Sequence, residues 1–444
     1  MRAVMILDSM RERCMRLLII AAAMCAAAPL SAQDIAGTWQ GTLSAFGLQY
    51  RQLIRVTKAA GGWAVIGYSL DEESDADTTS SIVLHGSHVT ITSRPQPPED
   101  PGSTYEGELD HGAHTLTGTL SQGDQHWPLT FRHVSPREAW PLPKPHTTRF
   151  VAIDTNVKLE VLDWGGSGPP MVFLAGLGNT AHVFDAYAPK FTPRYHVYGM
   201  TRRGFGKSSA PTPTDSNYTA PRLGDDVLAV LDSLHLAKPV LVGHSIAGQE
   251  LSAIGSRHPD RVAGLVYLDA GYWYAYYDSA VGNYFLDRGD LQDKLRRLNL
   301  SLSIHDTRVM IHALLETDIP RMEKDLRDRL QQIQSLNDSM PGRPNSAIDD
   351  AILFGGEKFH HVPVPALAIF AVPHANPRAG ADSATLAREE AEDSLSTTQQ
   401  VNAFAAGIPS ARIVRLPHAN HFVFVSNEAD VLREMNAFLA TLSP

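Results

Sequence analysis

The chain has 444 residues, 43% of them apolar and 19% charged, with a formal net charge of −10. Such a balance describes a globular protein with a large core; it excludes wholesale disorder and offers no basic face to a nucleic-acid partner. The length fits two or three domains. Residues 1–32 read as a cleaved export signal: Arg11, Arg13 and Arg16 precede the apolar run Leu17 to Leu30, and Leu30-Ser31-Ala32 offers a cleavage site. Met1, Met5, Met10 and Met15 all precede that run and are alternative starts. An uncleaved anchor is the competing reading, and the run is short for a bilayer span. The expected location is periplasmic or extracellular, without a stable membrane span after cleavage. Cys14 and Cys25 are the only cysteines, and both fall in this segment. Bulky Met24 speaks against lipidation of Cys25. The processed chain would then hold no disulfide, no Cys-ligated metal and no thiol nucleophile.

Residues 33–134 read as a small antiparallel β domain, a barrel or sandwich. Strands are expected at Gly37 to Leu43, Leu53 to Lys58, Trp63 to Leu70, Ser81 to Leu84, Val89 to Thr92, Tyr105 to Leu109, Leu116 to Leu120 and Trp127 to Phe131. Turn clusters such as Ala60-Gly61-Gly62 and Gln122-Gly123-Asp124 separate several of them. Gly37-Thr38-Trp39 resembles the G-x-W of lipocalin-like barrels, and a structural Trp plugging the barrel end is preferred to a ligand cavity. Residues 135–147 hold Pro136, Pro141, Pro143 and Pro145, which predicts a stiff extended linker.

From 148 to 444 apolar strands alternate with helical stretches, the pattern of a parallel sheet covered on both faces. Strands are expected at Phe150 to Ile153, Leu159 to Trp164, Met171 to Leu174, Tyr195 to Met200, Pro239 to Val242, Gly264 to Leu268, Pro365 to Val372 and Arg412 to Leu416. Helices are expected around His182 to Phe191, from Ala220 to Leu234, from Gln249 onward, and at Asn427 to Leu442. The alternation stops between about 272 and 359, where charged helical segments suggest an inserted cap. The run Tyr272-Trp273-Tyr274-Ala275-Tyr276-Tyr277, with Tyr284 and Phe285, walls an aromatic or acyl pocket or else packs cap against sheet. Arg388 to Asp393 reads as a solvated helix face.

Chemistry concentrates at Gly243-His244-Ser245-Ile246-Ala247-Gly248, where a valine-rich strand turns into a helix. A serine on such a strained turn exposes its hydroxyl, and the following N–H, that of Ile246, faces any oxyanion that forms. The pattern departs from G-x-S-x-G, since Ala247 stands at the second glycine and Gly248 follows.

This order of elements resembles the α/β-hydrolase family over the C-terminal two-thirds of the chain. Trp164-Gly165-Gly166-Ser167-Gly168-Pro169 is similar to the family's approach to its third strand. Arg203-Gly204-Phe205-Gly206-Lys207-Ser208 is similar to the turn after its fourth, with Thr201 where the family often has Asp. Gly243 to Ala247 matches the nucleophile elbow, and His421-Phe422 matches the histidine loop after the last strand. The resemblance implies a Ser245 nucleophile, a His421 base in preference to His418, and an oxyanion hole from the N–H groups of Leu177 and Ile246. His244 is expected to shape the elbow. For the acid, the commonest family position lies after the strand at Pro365 to Phe370, but no carboxylate occurs there until Asp382. Asp269, at the end of the preceding strand, is the expected acid. Its replacement by Asn is expected to cripple turnover with little loss of stability.

The resulting expectation is an exported serine hydrolase cleaving a small-molecule carboxylic ester through an acyl-enzyme, without metal or organic cofactor. Amide, thioester or C–C cleavage by the same triad and a non-catalytic ligand-binding role are alternatives. The haloalkane dehalogenase and epoxide hydrolase branches are disfavoured, because their nucleophile is Asp. A rival reading takes Gly176-Leu177-Gly178-Asn179-Thr180-Ala181 as a dinucleotide fingerprint, with Arg202 and Arg203 meeting the 2′-phosphate of NADP. Gly206-Lys207-Ser208 is not a Walker loop, since Thr201 occupies the place of its first glycine.

Overall fold

The computed structural model describes residues 34–442 apart from 46–47, 71–76, 79, 95–101, 111, 113, 124, 141, 143–145, 299–302, 335–345 and 376–382. The segment expected to be an export signal, residues 1–32, and Asp382 lie outside the described residues. The chain divides into two compact units, with the boundary in sequence between 141 and 142. Among the described residues no helix is long and apolar enough to cross a membrane.

The first unit is one antiparallel sheet of eight strands: β1 (Gly37–Ala45), β2 (Leu48–Ala59), β3 (Gly62–Ser69), β4 (Ser81–His85), β5 (His88–Thr92), β6 (Thr104–Asp110), β7 (Thr115–Gln122) and β8 (Gln125–Val134). Their order is β3-β2-β1-β8-β7-β6-β5-β4, a meander curled into a barrel-like sheet in which β1 pairs with both β2 and β8. Alternation drives the fold: in β6 Tyr105, Gly107 and Leu109 point inward while Glu106, Glu108 and Asp110 stay in water. Trp39 is buried, and its indole donates to the Ile35 carbonyl at 3.0 Å, the structural role expected of it. The linker is not extended throughout. Ser135 to Ala139 forms a turn in which the Ser135 carbonyl accepts from the N–H groups of Glu138 and Ala139, and the Glu138 carboxylate accepts from Ser135. Pro136 is compatible with that turn because proline needs no N–H partner there.

The second unit is built on a sheet of eight strands: β9 (Thr147–Asp154), β10 (Val157–Gly165), β11 (Pro170–Leu174), β12 (His196–Met200), β13 (Val240–His244), β14 (Gly264–Leu268), β15 (Ala366–Ala371) and β16 (Ala411–Leu416), in the order β9-β10-β12-β11-β13-β14-β15-β16. Antiparallel pairing joins β9 to β10 and β10 to β12; the remaining pairs are parallel. Strands β13, β14 and β15 are buried along their whole length, which is why they read as continuous apolar runs rather than as alternation. Helices α1 (Ala220–Ser233) and α2 (Gly248–Arg257) flank the sheet, with α1 burying Leu223, Val227, Val230 and Leu231 along one face. The stretch expected as a helix around His182 to Phe191 is instead two short 3-10 turns, Ala181–Phe184 and Ala188–Phe191. Pro189 enters the second, where an α-helix continuing from the first would need its missing N–H. Between β14 and β15 lie α3 (Tyr284–Leu298), α4 (Ile304–Ala313), α5 (Ile319–Gln334) and α6 (Ala347–Phe354). After β15 comes α7 (Ser383–Gly407), and after β16 come α8 (Val423–Ser426) and α9 (Glu428–Leu439).

Candidate active site

Parallel strands that end in register deliver their C-terminal loops to one rim, and here β13 and β14 do so. His244 pairs with Leu268, so Ser245 and Asp269 are the first residues beyond the two strand ends. Both leave the sheet through left-handed backbone, with φ of +53° at Ser245 and +47° at Asp269. For residues with a Cβ this conformation is strained, and it is held by what surrounds it. The elbow also explains the departure from G-x-S-x-G. Ala247 is accommodated fully buried, whereas a Cβ on Gly248 would stand 2.0 Å from the Ala270 carbonyl oxygen. The second obligatory glycine has moved one position along the chain.

Asp269 is fully buried and accepts four hydrogen bonds. Oδ2 faces His421 Nδ1 at 2.6 Å and His374 Nε2 at 2.8 Å, while Oδ1 takes the Ala371 N–H at 2.9 Å and the Tyr272 hydroxyl. Burial alone would raise the Asp269 pKa, but the hydrogen bonds and charges of His374 and His421 hold it well below the usual carboxylate range. A neutral His421 ring that gives its Nδ1–H to Asp269 keeps its lone pair on Nε2. The rival His418 is exposed and lies 3.9 Å from Glu390, away from Asp269.

His244 is buried, and its ring packs 4.7 Å from those of His421 and Phe422. Its Nε2 donates to the His421 carbonyl at 3.1 Å. Burial and the neighbouring His421 push its pKa down to about 3, so the ring is neutral at ordinary pH. It sits in the elbow, and it also pins the loop that carries His421.

The loop after β11 closes over the serine, since a Cβ on Gly176 would lie 3.1 Å from the Ser245 Cβ. Its carbonyls are turned away and held: Arg202 donates to Ala175 O at 2.9 Å and to Gly176 O at 3.3 Å, and its Nε is bonded to Glu250. The Ile246 N–H opens a 3-10 turn and so has no intrahelical acceptor. Gly176, the neighbour of Leu177, thus stands against Ser245, and Ile246 follows the serine in the turn.

The structure also removes the basis of the dinucleotide reading. Arg202 and Arg203 are both buried, the first engaged as just described and the second forked onto both Asp226 oxygens at 2.5 Å. Neither guanidinium is available to a phosphate.

Three members of the site carry no local sequence motif. His374, in the loop after β15, is clamped between Asp269 and Asp393 of α7, so the run Arg388 to Asp393 is not simply a solvated face. Tyr272 donates to Asp269, and the buried Tyr274 hydroxyl lies against the Ser245 side chain. Trp273 stacks on Phe285 at 5.2 Å, and the Tyr277 hydroxyl donates to Asp287 at 2.6 Å, so the aromatic run divides between site contacts and packing.

Among the described residues, two groups of side chains offer metal-type donors within 4.8 Å of one another, Asp269 with His374 and His421, and His146 with His182 and Asp185. Tetrahedral ligands at Zn-type bond lengths stand about 3.3 Å apart. The 2.6 and 2.8 Å separations at Asp269 are shorter and are those of direct hydrogen bonds. In the second group, His182 Nδ1 bonds Asp185 Oδ2 at 3.0 Å and the Trp164 indole donates to Asp185 Oδ1 at 2.7 Å, which closes it as a buried ionic network. Burial opposes the charge on His182, but Asp185 and Glu160 outweigh it and raise its pKa to about 9.

A family model described as the alpha/beta hydrolase fold matches residues 169–428. The chain belongs to the alpha/beta hydrolase fold family. Among related proteins, it is 29% identical over 104 residues to 2-(acetamidomethylene)succinate hydrolase of Mesorhizobium japonicum, covering 23% of this chain and 36% of that protein. It is 33% identical over 107 residues to fluoroacetate dehalogenase of a Burkholderia species, covering 24% and 35%. It is 34% identical over 119 residues to epoxide hydrolase A of Mycobacterium tuberculosis, covering 26% and 37%. The matched stretches span little more than a third of these relatives' own length. A crystal structure of E-2-(acetamidomethylene)succinate hydrolase aligns with a TM-score of 0.40 and 20% identity, covering 67% of this chain and 100% of that one.

Proposed function

We propose that this alpha/beta hydrolase cleaves carboxylic esters through an acyl-enzyme, with Ser245 as nucleophile, His421 as general base and Asp269 as the acid that orients it. The carrying observation is the 2.6 Å contact of Asp269 Oδ2 with His421 Nδ1, beside a serine held at φ of +53° on the elbow. His421 Nε2 takes the Ser245 proton as Oγ attacks the acyl carbon, and the imidazolium that forms is stabilised by Asp269. The N–H groups of Leu177 and Ile246 receive the oxyanion. His421 then protonates the leaving alcohol, and a water activated by the same nitrogen hydrolyses the acyl-enzyme. Two of the relatives are named a fluoroacetate dehalogenase and an epoxide hydrolase; a serine, Ser245, on the elbow of this chain favours acyl transfer here.

The test is Ser245→Ala against chromogenic esters of rising acyl length. Removing the hydroxyl alone should lower turnover by several orders of magnitude. Residual activity on the order of a tenth of wild type would exclude Ser245 as nucleophile. From Arg11, Arg13 and Arg16 ahead of the apolar run Leu17 to Leu30, we also infer that the enzyme is exported.

A further inference from the structure

We propose that His374 is a positioning residue of the same site: held as an imidazolium between Asp269 and Asp393, it fixes the Asp269 carboxylate and draws part of its charge away from His421. This rests on the ester-hydrolase reading for its kinetic consequence, although the charge state of His374 stands on geometry alone.

Both ring nitrogens of His374 face carboxylates. Nε2 lies 2.8 Å from Asp269 Oδ2, and Nδ1 lies 3.0 and 3.1 Å from the two oxygens of Asp393, whose Oδ2 also takes the His374 backbone N–H at 2.7 Å. A neutral imidazole has one N–H and one lone pair, so one of these contacts would set a lone pair against an anion. Only the doubly protonated ring satisfies both. Burial opposes the charge, but hydrogen bonds and charge from Asp269 and Asp393 outweigh it and raise the His374 pKa to about 9.

The loop is built to hold this ring. Ala375 N donates to Ala419 O at 2.8 Å and His418 N to Pro373 O at 2.8 Å, so the loop bearing His374 is laced to the loop bearing His421. The titratable groups facing His374 are Asp269 beyond β14, Tyr272 with its hydroxyl at 3.5 Å, Asp393 on α7, and His421 with ring centroids 6.1 Å apart.

The consequence has a sign. A cation 6.1 Å from His421 disfavours a second cation there. Repulsion between the rings therefore opposes positive charge on His421, while Asp269 keeps both rings oriented. The arrangement also accounts for the missing carboxylate after β15: a histidine occupies that loop and acts on the acid of the neighbouring strand.

Two measurements on the full chain test this. In two-bond proton–nitrogen correlation spectra, with His374 assigned by its absence in His374→Gln, both His374 nitrogens should stay protonated through pH 8, and Asp393→Asn should lower that titration by at least about one pH unit. A neutral His374 at pH 7 overturns the proposal, whatever the enzyme's activity. Second, the acidic limb of kcat/KM for p-nitrophenyl acetate should lie about one pH unit higher in His374→Gln than in wild type, because Gln keeps a donor to Asp269 and removes the charge. A merely structural role would leave the limb in place. Coincident limbs with robust ester hydrolysis refute this inference alone, whereas no hydrolysis by wild type refutes the ester-hydrolase reading and leaves the spectra to decide the state of His374.

Discussion

Replacing Asp269 by Asn is nearly isosteric, and its cost can be worked from four contacts. Oδ2 serves His421 at 2.6 Å and His374 at 2.8 Å, and Oδ1 serves Ala371 N at 2.9 Å and the Tyr272 hydroxyl. An Asn amide has one acceptor oxygen. If the oxygen faces the histidines, the NH2 group meets the Ala371 N–H; if it faces Ala371, the NH2 group meets two imidazole N–H groups. Either rotamer leaves a buried donor opposed, and the negative charge that stabilises the His421 imidazolium is gone. Turnover should fall by about four orders of magnitude, equivalent to about 5.5 kcal/mol of transition-state stabilisation. The expectation of unchanged stability does not survive the structure. Removing the charge from a fully buried, four-fold hydrogen-bonded carboxylate should cost about 3 kcal/mol of folding stability. In a unit of this size that lowers Tm by about 6 °C. Burst kinetics with a p-nitrophenyl ester and scanning calorimetry at one scan rate measure both. A variant retaining more than about a tenth of wild-type turnover with an unmoved Tm would refute the assignment of Asp269 as the acid.

The clamped histidines predict an alkaline weakness. The pKa values of His182 and His374 are raised from 6.5 to about 9, each by paired carboxylates that outweigh burial. Their contribution to stability is thus complete below about pH 6.5 and is lost as pH rises through about 9. The urea midpoint should fall between pH 7 and 9.5, and fall less in His374→Gln; a flat profile in wild type would contradict this. Export predicts that expression in a Gram-negative host yields mature protein in the periplasm with its N-terminus at Gln33, and N-terminal sequencing of a cytoplasmic, unprocessed product would refute it.

Some of this site was legible in sequence because its signals are local. The elbow showed as small residues around Ser245 after a valine-rich strand, and His421, which the structure sets against Asp269, as a histidine before an aromatic. Asp269 was visible as a carboxylate ending a run that core packing does not explain. His374 and Asp393 were not legible as site members, and Tyr272, read as a pocket wall or packing residue, was not legible as a donor to Asp269. His374 and Asp269 are 105 residues apart, and only the parallel pairing of β14 with β15 brings their loops together. Asp393 sits in a charged run whose composition is that of a solvated helix, and sequence gives no sign that one member turns inward. Arg202 and Arg203 misled in the opposite sense. Their charge suggested a phosphate, whereas burial against Glu250 and Asp226 makes them internal props for the loop over Ser245 and for α1. The two 3-10 turns found where one helix was expected, Ala181–Phe184 and Ala188–Phe191, reflect Pro189 and packing that apolar periodicity does not register.

The central claim is that Ser245 is an activated nucleophile, and covalent capture tests it most directly. Incubation of the full chain with a fluorophosphonate, followed by intact-mass and peptide mapping, should show one adduct per chain, on Ser245, with none formed by Ser245→Ala and markedly slower formation by Asp269→Asn. An adduct on any other residue, or a folded wild-type chain that forms none, would contradict the account.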